Sequence, residues 1–324
     1  MRPASRVQLQ LRDLHPAHEP LIADVLAGLR KSPKQISPMY FYDAHGSVLF
    51  DRICELPEYY PTRTEMRILQ QHGKDIARCV GDDVLLVEFG SGSSMKTRLL
   101  LDELPGLAAY VPVDISRSHL MNAAQGISAS YPDLEVLPIC ADFTRPFLLP
   151  TPRREVSRVV VLFPGSTIGN FDPPAALNLL RVMRGIAGMD GGLLIGTDLV
   201  KDPDILVRAY DDSAGVTAEF NLNVLRRFNR EMSADFDLTQ FRHRAVWNAE
   251  ASRIEMHLVS QRDQVVTLAG ESIELAAGES IVTEHCHKYT VPGFAVQAAR
   301  AGWTASERWL DDRGYFSVNY LEAG

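Results

Sequence analysis

The segment Val84–Leu104, VLLVEFGSGSSMKTRLLLDEL, decides the fold. A short apolar run rich in β-branched residues, Val84–Phe89, enters a glycine turn, Gly90-Ser91-Gly92. A helical pattern follows, with apolar Leu99, Leu100, Leu101 and Leu104. Strand, glycine turn and helix together make the nucleotide-binding corner of a doubly wound α/β sheet. Glycine lets the backbone approach a ligand closely, and the helix N-terminus presents N–H groups that have no intrahelical partner. Two glycines also suit a purely structural turn, so the rest of the chain has to decide.

From Val84 onward, short apolar runs alternate with helical stretches, as in βαβ units. The pattern predicts strands at 84–89, 110–113, 134–139, 158–163 and 192–197. Each is followed by a polar or glycine-containing loop, where open parallel sheets bind ligands. The regularity stops near Val200. Residues 202–248 read as mainly helical, with Tyr210, Phe220, Phe228, Phe236 and Phe241 spread through them. Strands are expected again at 253–260, 265–268 and 281–290, and Gly314–Leu321 alternates like a closing strand. The expected architecture is an α/β core with a large insertion before its last strands and an N-terminal segment outside the core. A cleft between core and insertion is the natural site for a second substrate.

The 324 residues suffice for a large core, and 46% hydrophobic with 23% charged residues is ordinary for a globular protein. A net charge of −8 argues against nucleic acid or an anionic membrane as the main partner. No apolar run approaches the roughly 20 residues that span a bilayer. The first residues lack the apolar centre of a secretory signal. Cys54, Cys79, Cys140 and Cys286 are scattered without metal-ligand spacing, so a cytoplasmic protein is expected.

Asp114 ends the second strand about two dozen residues after Gly90, where a carboxylate can accept hydrogen bonds from both ribose hydroxyls. Asp142 closes the third strand in Ala141-Asp142-Phe143, within reach of an adenine amino group, with Phe143 beside the ring. Either aspartate alone would serve equally well as a helix cap. Two acids at successive strand ends favour a nucleoside. The loop lacks the third glycine of the dinucleotide fingerprint and the G-K-[ST] ending of a phosphate loop. Lys96, six residues past Gly90, is placed to meet a carboxylate. An adenosine end and a carboxylate end fit S-adenosylmethionine better than NAD or ATP. A solvated lysine on a helix face is the plainer alternative.

Longer motifs then identify a resemblance. FYDAHGSVLFDRICELPEYYPTRTE (Phe41–Glu65), FPGSTIGNF (Phe163–Phe171), GTDLVKDPDILVRAYDDSAGVTAEFNLNVL (Gly196–Leu225) and Ile281-Val282-Thr283-Glu284 resemble the S-adenosylmethionine-dependent histidine Nα-methyltransferases of ergothioneine biosynthesis. The similarity covers about residues 37–321. It implies a Rossmann-like class I methyltransferase core, 63–200 and 288–324, and a substrate-binding domain made of 1–62 and 201–287. It implies a monomer that trimethylates the α-amino group of L-histidine through mono- and dimethyl intermediates, giving hercynine, with no metal. Gly90, Lys96, Asp114, Asp142 and Phe143 fall on the cofactor. Tyr59, Asn170 and Tyr210 surround the amino and carboxylate groups of the substrate, with Gly165 offering backbone in the same loop. Tyr42 approaches the reacting amine, so Tyr42, Tyr59 and Asn170 form the catalytic set. Glu284 and position 286 hold the imidazole ring, with Met256 packing nearby.

Each of these has a plainer alternative: Tyr59 and Tyr210 as packed aromatics, Asn170 as the cap of a helix beginning near Asp172. Position 286 departs from the family, which usually carries serine there; this chain has Cys286 between His285 and His287. A thiol is a weaker hydrogen-bond partner than a hydroxyl. The change could mark a related amino acid or amine as substrate, since a distant branch of the superfamily methylates indole-bearing amines. Glu284 and Met256 speak against an indole pocket. His285-Cys286-His287 has the look of a metal motif, but strand alternation turns Cys286 away from both neighbours. A non-catalytic sensor of cofactor or amino acid is the remaining alternative, and it would not need an amine-positioning pair.

Overall fold

The computed structural model describes residues 9–14, 20–92 and 95–324. Residues 1–8 and 15–19 of the expected substrate-binding segment, and Ser93 and Ser94 of the glycine-turn region, lie outside the described residues. The central sheet is ordered Arg12–Asp13, Ile139–Cys140, Ala109–Asp114, Val84–Phe89, Arg158–Phe163, Gly192–Asp198, Phe316–Ala323, Trp303–Leu310. Neighbours are parallel up to Gly192–Asp198, and the last two strands are antiparallel. The chain leaves Val84–Phe89 towards one edge and returns to the other side of it at Arg158–Phe163. That reversal opens a crevice at the carboxyl ends of these two strands, where doubly wound sheets bind ligands.

All six residues of Val84–Phe89 are buried, as are all seven of Gly192–Asp198. Strands covered on both faces read as nearly continuous apolar runs, here interrupted only towards their carboxyl ends, which is why the sequence marks them so clearly. Alternate residues divide between the faces. Leu85, Val87 and Phe89 pack with Leu180, Met183 and Phe294, whereas Val84 and Leu86 pack with Ile68, Ile76 and Tyr320. The third expected strand, 134–139, is a correction: it is two short strands, Glu135–Val136 and Ile139–Cys140, on either side of Pro138. The ladder lapses at Pro138, which has no N–H to donate, whereas Pro112 is accommodated within Ala109–Asp114.

The insertion begins as expected with helices Pro203–Tyr210 and Val216–Glu231. It is not helical to residue 248. Phe241–Asn248 is a strand whose Phe241, His243 and Ala245 are buried and whose Arg242 and Arg244 are exposed, a period of two where a helical period was read. This strand starts a four-stranded sheet ordered Lys34–Gln35, Ser280–His287, Arg253–Ser260, Phe241–Asn248. Ser280–His287 ends three residues before the expected 290, because Thr290 caps the helix Val291–Arg300 by accepting from the Gly293 N–H. Residues of 25–60 and 206–286 share one apolar cluster, including Tyr40, Leu49, Phe220, Phe228, Ile254 and Ile281.

The long helix Tyr60–Val80 lies against the central sheet and carries the buried Glu65. Gly196 makes room for that carboxylate: a β-carbon there would stand 2.3 Å from Glu65 Oε1 and 2.9 Å from Phe316 Cζ. Gly196→Ala is therefore expected to destabilise the fold by about 1–3 kcal/mol through overpacking, measured by urea denaturation.

Candidate active site

One cavity is lined by Tyr42, Tyr59, Gly165, Asn170, Tyr210, Met256, Glu284 and Cys286, together with Phe50, Thr167 and Phe220. These eight residues lie far apart in the sequence and meet through three local devices. The loop after Arg158–Phe163 passes through left-handed Gly165 (φ 80°) and Ser166 (φ 58°) into the short turn Thr167–Asn170. A bulge between Met256 and His257 slips the register by one, setting Met256 opposite Glu284 but His257 opposite Val282. Bulges re-aim side chains, and from here Glu284 and Cys286 share the cavity face. The third device is the turn from Tyr59 into the helix that begins at Tyr60, with Pro61 in its first turn.

Asn170 does not cap a helix. The cap position belongs to Asp172, and the Asn170 Nδ2 group donates to Glu284 Oε1 at 3.1 Å. Burial pushes the Glu284 carboxyl up to about 7, against the opposing pull of the Lys288 ammonium. Burial also raises Tyr42, Tyr59 and Tyr210 well above the usual phenol range. Their hydroxyls are neutral hydrogen-bonding groups. Tyr59 and Tyr210 meet edge to face at 6.0 Å between centroids. Tyr42 is fixed the same way by Phe50 and Phe220, at 5.7 and 5.9 Å.

Cys286 is engaged from within the protein. Its sulfur is 2.8 Å from the Tyr210 hydroxyl and 3.1 Å from Lys288 Nζ. The fully buried Lys288 ammonium also donates to the Tyr210 hydroxyl at 2.8 Å and pairs with Asp198 at 2.8 Å. Asp198 further accepts from Tyr60 and from Lys201 at 2.6 Å. Burial opposes the Asp198 charge, but Lys288 and Lys201 outweigh it and hold the carboxyl below its ordinary range. The sequence reading passed over this network. Asp198 ends a strand as Asp114 does, with Asp142 two residues past Ile139–Cys140, and that shared position was a usable signal. Lys288 has no comparable local mark.

Of the five residues expected at the cofactor, Gly90, Asp114, Asp142 and Phe143 end or follow central strands at their carboxyl ends, and Lys96 lies on the helix Met95–Leu101. Gly90 has φ 71°, and a β-carbon there would lie 3.9 Å from Phe143 Cε1. Phe143 itself stacks on Phe89 at 5.3 Å. Among the described residues, the buried Ser91 hydroxyl has no hydrogen-bond partner. Asp114 accepts from the Ser116 N–H, and Asp142 accepts from the Thr144 N–H and hydroxyl, so both aspartates also brace their own turns. Lys96 meets a carboxylate as expected, but it is the protein's own: Glu65, at 2.5 Å. Glu65 was missed by the sequence reading, and its two oxygens also accept from the Gly165 N–H at 3.0 and 2.9 Å. Thr97 ties the helix Met95–Leu101 to the buried Glu88 at 2.8 Å. An orphaned hydroxyl, a glycine beside an aromatic face and two strand-end carboxylates fit an adenosine-bearing cofactor.

Comparison with known proteins follows this geometry. A family model described as histidine-specific methyltransferase, SAM-dependent, matches residues 21–323. The chain is 45% identical to the histidine N-alpha-methyltransferase of Mycolicibacterium smegmatis over 308 residues, 94% of this chain and 95% of that one. It is 42% identical to the enzyme of the same name from Mycobacterium tuberculosis, over 93% and 94% of the two chains. A 4-dimethylallyltryptophan N-methyltransferase from Claviceps purpurea is 28% identical over 62% of each chain. Matched over nearly its whole length, the chain belongs to the S-adenosylmethionine-dependent, histidine-specific methyltransferase family.

Proposed function

We propose that this protein transfers three methyl groups from S-adenosylmethionine to the α-amino group of L-histidine, making trimethylhistidine for ergothioneine biosynthesis. The observation that carries this reading is the buried Glu284, held by Asn170 at 3.1 Å at the end of a cavity lined with neutral tyrosine hydroxyls. We assign the cofactor to Gly90, Lys96, Asp114, Asp142 and Phe143, within 63–200 and 288–324. The substrate falls to 1–62 and 201–287, supported by the separate apolar cluster that residues of 25–60 and 206–286 form. We take the protein to be a monomer; no described helix is long and apolar enough to cross a membrane, and the four free thiols suit a reducing cytoplasm.

S-adenosylmethionine supplies an electrophilic methyl group, and its charge passes from sulfur to the attacking nitrogen, so the transfer creates no net charge. The protein needs no strong acid, and this reading gives the step no metal. Its residues position the amine, exclude water and let the amine lose its proton. Tyr42 and Tyr59 orient the amine lone pair. A phenol accepts from an amine N–H while one remains and, being neutral, needs none once it is replaced by methyl, so the site does not stall when the last N–H is gone. Asn170 and Tyr210 hold the α-carboxylate and amine end. Gly165 keeps the loop close, and Met256 packs against the ring. Glu284 accepts from an imidazole N–H, and an apolar amino acid would leave this buried carboxylate unpaired at a cost. Cys286 shares its sulfur with Tyr210 and Lys288, so the ring is held chiefly by Glu284.

Mass spectrometry of protein incubated with S-adenosylmethionine and L-histidine, with L-tryptophan in parallel, tests the assignment. A histidine product heavier by three methyl groups is expected. A methylated tryptophan without a histidine product would mean that Cys286 marks another substrate. Absence of S-adenosylhomocysteine with either amino acid would leave only a sensor. Glu284→Ala should weaken histidine binding about ten- to a hundredfold, the worth of one charged hydrogen bond, in a calorimetric titration. Tyr42→Phe should slow at least one of the three transfers, and wild-type rates for all three would remove its assigned role. Because the Glu284 carboxyl lies near 7, it gains a proton and loses its charge as pH falls through that value. kcat/KM for histidine should fall on that acid side, and Glu284→Gln should flatten the fall. Titration of free histidine is common to both proteins and cancels in their ratio.

A further inference from the structure

The alternation that turns Cys286 into the cavity sends His285 and His287 together to the opposite face of the Ser280–His287 strand. There they meet Asp172. Its Oδ1 atom is 3.1 Å from His285 Nδ1 and 3.3 Å from His287 Nε2. The three ligand atoms all lie within 4.8 Å of one another. Asp172 holds the cap position of the helix Pro173–Ala187, yet its side chain caps nothing and reaches the two imidazoles instead.

The geometry points to a divalent transition-metal site, zinc by its chemistry, formed by Asp172, His285 and His287 on the face opposite the cavity. Four donors at zinc bonding distance, about 2.0–2.1 Å, stand about 3.3 Å from each other in a tetrahedron. The two aspartate–imidazole separations already have that length. Two imidazoles and a carboxylate suit zinc, with water completing the shell. A strand fixes the two histidines relative to each other, so little chain ordering is needed on binding.

Arg253 is the competing cation. Its Nη1 atom is 3.2 Å from Asp172 Oδ1, and its Nη2 atom is 2.8 Å from Glu255 Oε1. When zinc takes Asp172, the guanidinium keeps Glu255 and no charge is stranded. The cation takes no part in methyl transfer. It links the segment that follows Asn170 to the strand that carries Glu284, clamping from behind the two side chains that meet in the cavity. The site stands on its own geometry and does not depend on the identity of the amino-acid substrate.

Untagged, chelator-treated protein dialysed against zinc in amino-acid-free buffer, with metal counted by plasma mass spectrometry, tests the site. About one zinc per chain at low micromolar free metal is expected. His285→Ala and His287→Ala should each lower the affinity at least tenfold, and Cys286→Ser should leave it unchanged. Cobalt(II) in the wild-type protein reports the ligands without any substitution, and its spectrum should lack a thiolate-to-metal band. No zinc on the wild-type protein, full zinc binding by the His285→Ala/His287→Ala double variant, or a thiolate band would each overturn the proposal.

Discussion

One buried carboxylate, Asp198, holds the two layers of this protein in register. It ends the Gly192–Asp198 strand of the central sheet and pairs with Lys288, which directly follows the strand bearing Glu284 and Cys286. The same segment is fastened by its backbone, with the Tyr289 N–H donating to the Asp198 carbonyl at 2.9 Å. The Ser166 hydroxyl accepts from the Asp198 N–H at 2.8 Å, which fixes the loop carrying Gly165 and Asn170. Losing one partner of a buried ion pair typically costs about 3–5 kcal/mol, because the survivor is left charged and unsolvated. The cavity geometry depends on this pairing because its walls come from both layers.

A second buried carboxylate plays the matching part on the side of the glycine turn. Glu65 accepts from the Gly165 backbone and pairs with Lys96, so one side chain joins the helix Tyr60–Val80, the loop that carries Gly165 and the helix after the glycine turn. The loop is thus gripped from opposite sides, by Glu65 at Gly165 and by Asp198 at Ser166. Two consecutive left-handed residues give it a shape that ordinary side chains resist. Burial keeps the Tyr42 and Tyr59 phenols on the cavity wall neutral, so they bring no formal charge to it. That suits a reaction in which charge moves without being created.

Much of this was legible in the chain. Val84–Phe89 and Arg158–Phe163 were predicted to the residue, because strands covered on both faces are nearly continuous in apolar residues, Glu88 and Arg158 being the exceptions. Half-exposed and interrupted segments were harder. Pro138 split a strand that hydrophobicity alone ran together, and Phe241–Asn248 joined the small sheet although its aromatic spacing suggested helix. The family resemblance also singled out the eight residues that line one cavity, six of them within its long motifs and Met256 and Cys286 outside them.

The sequence by itself determined the class of fold, the glycine turn, the strand-end aspartates and the family. Each is written in local spacing or in long motifs, and spacing follows from the periods of helix and strand. Only the tertiary structure decided who pairs with whom. Asn170 turned to Glu284 and left the cap position to Asp172, Lys96 found Glu65, and Cys286 found Tyr210 and Lys288. These partners are separated by as many as 114 residues along the chain. A buried polar group takes whichever partner folding brings within about 3 Å, and no local pattern records which one that will be.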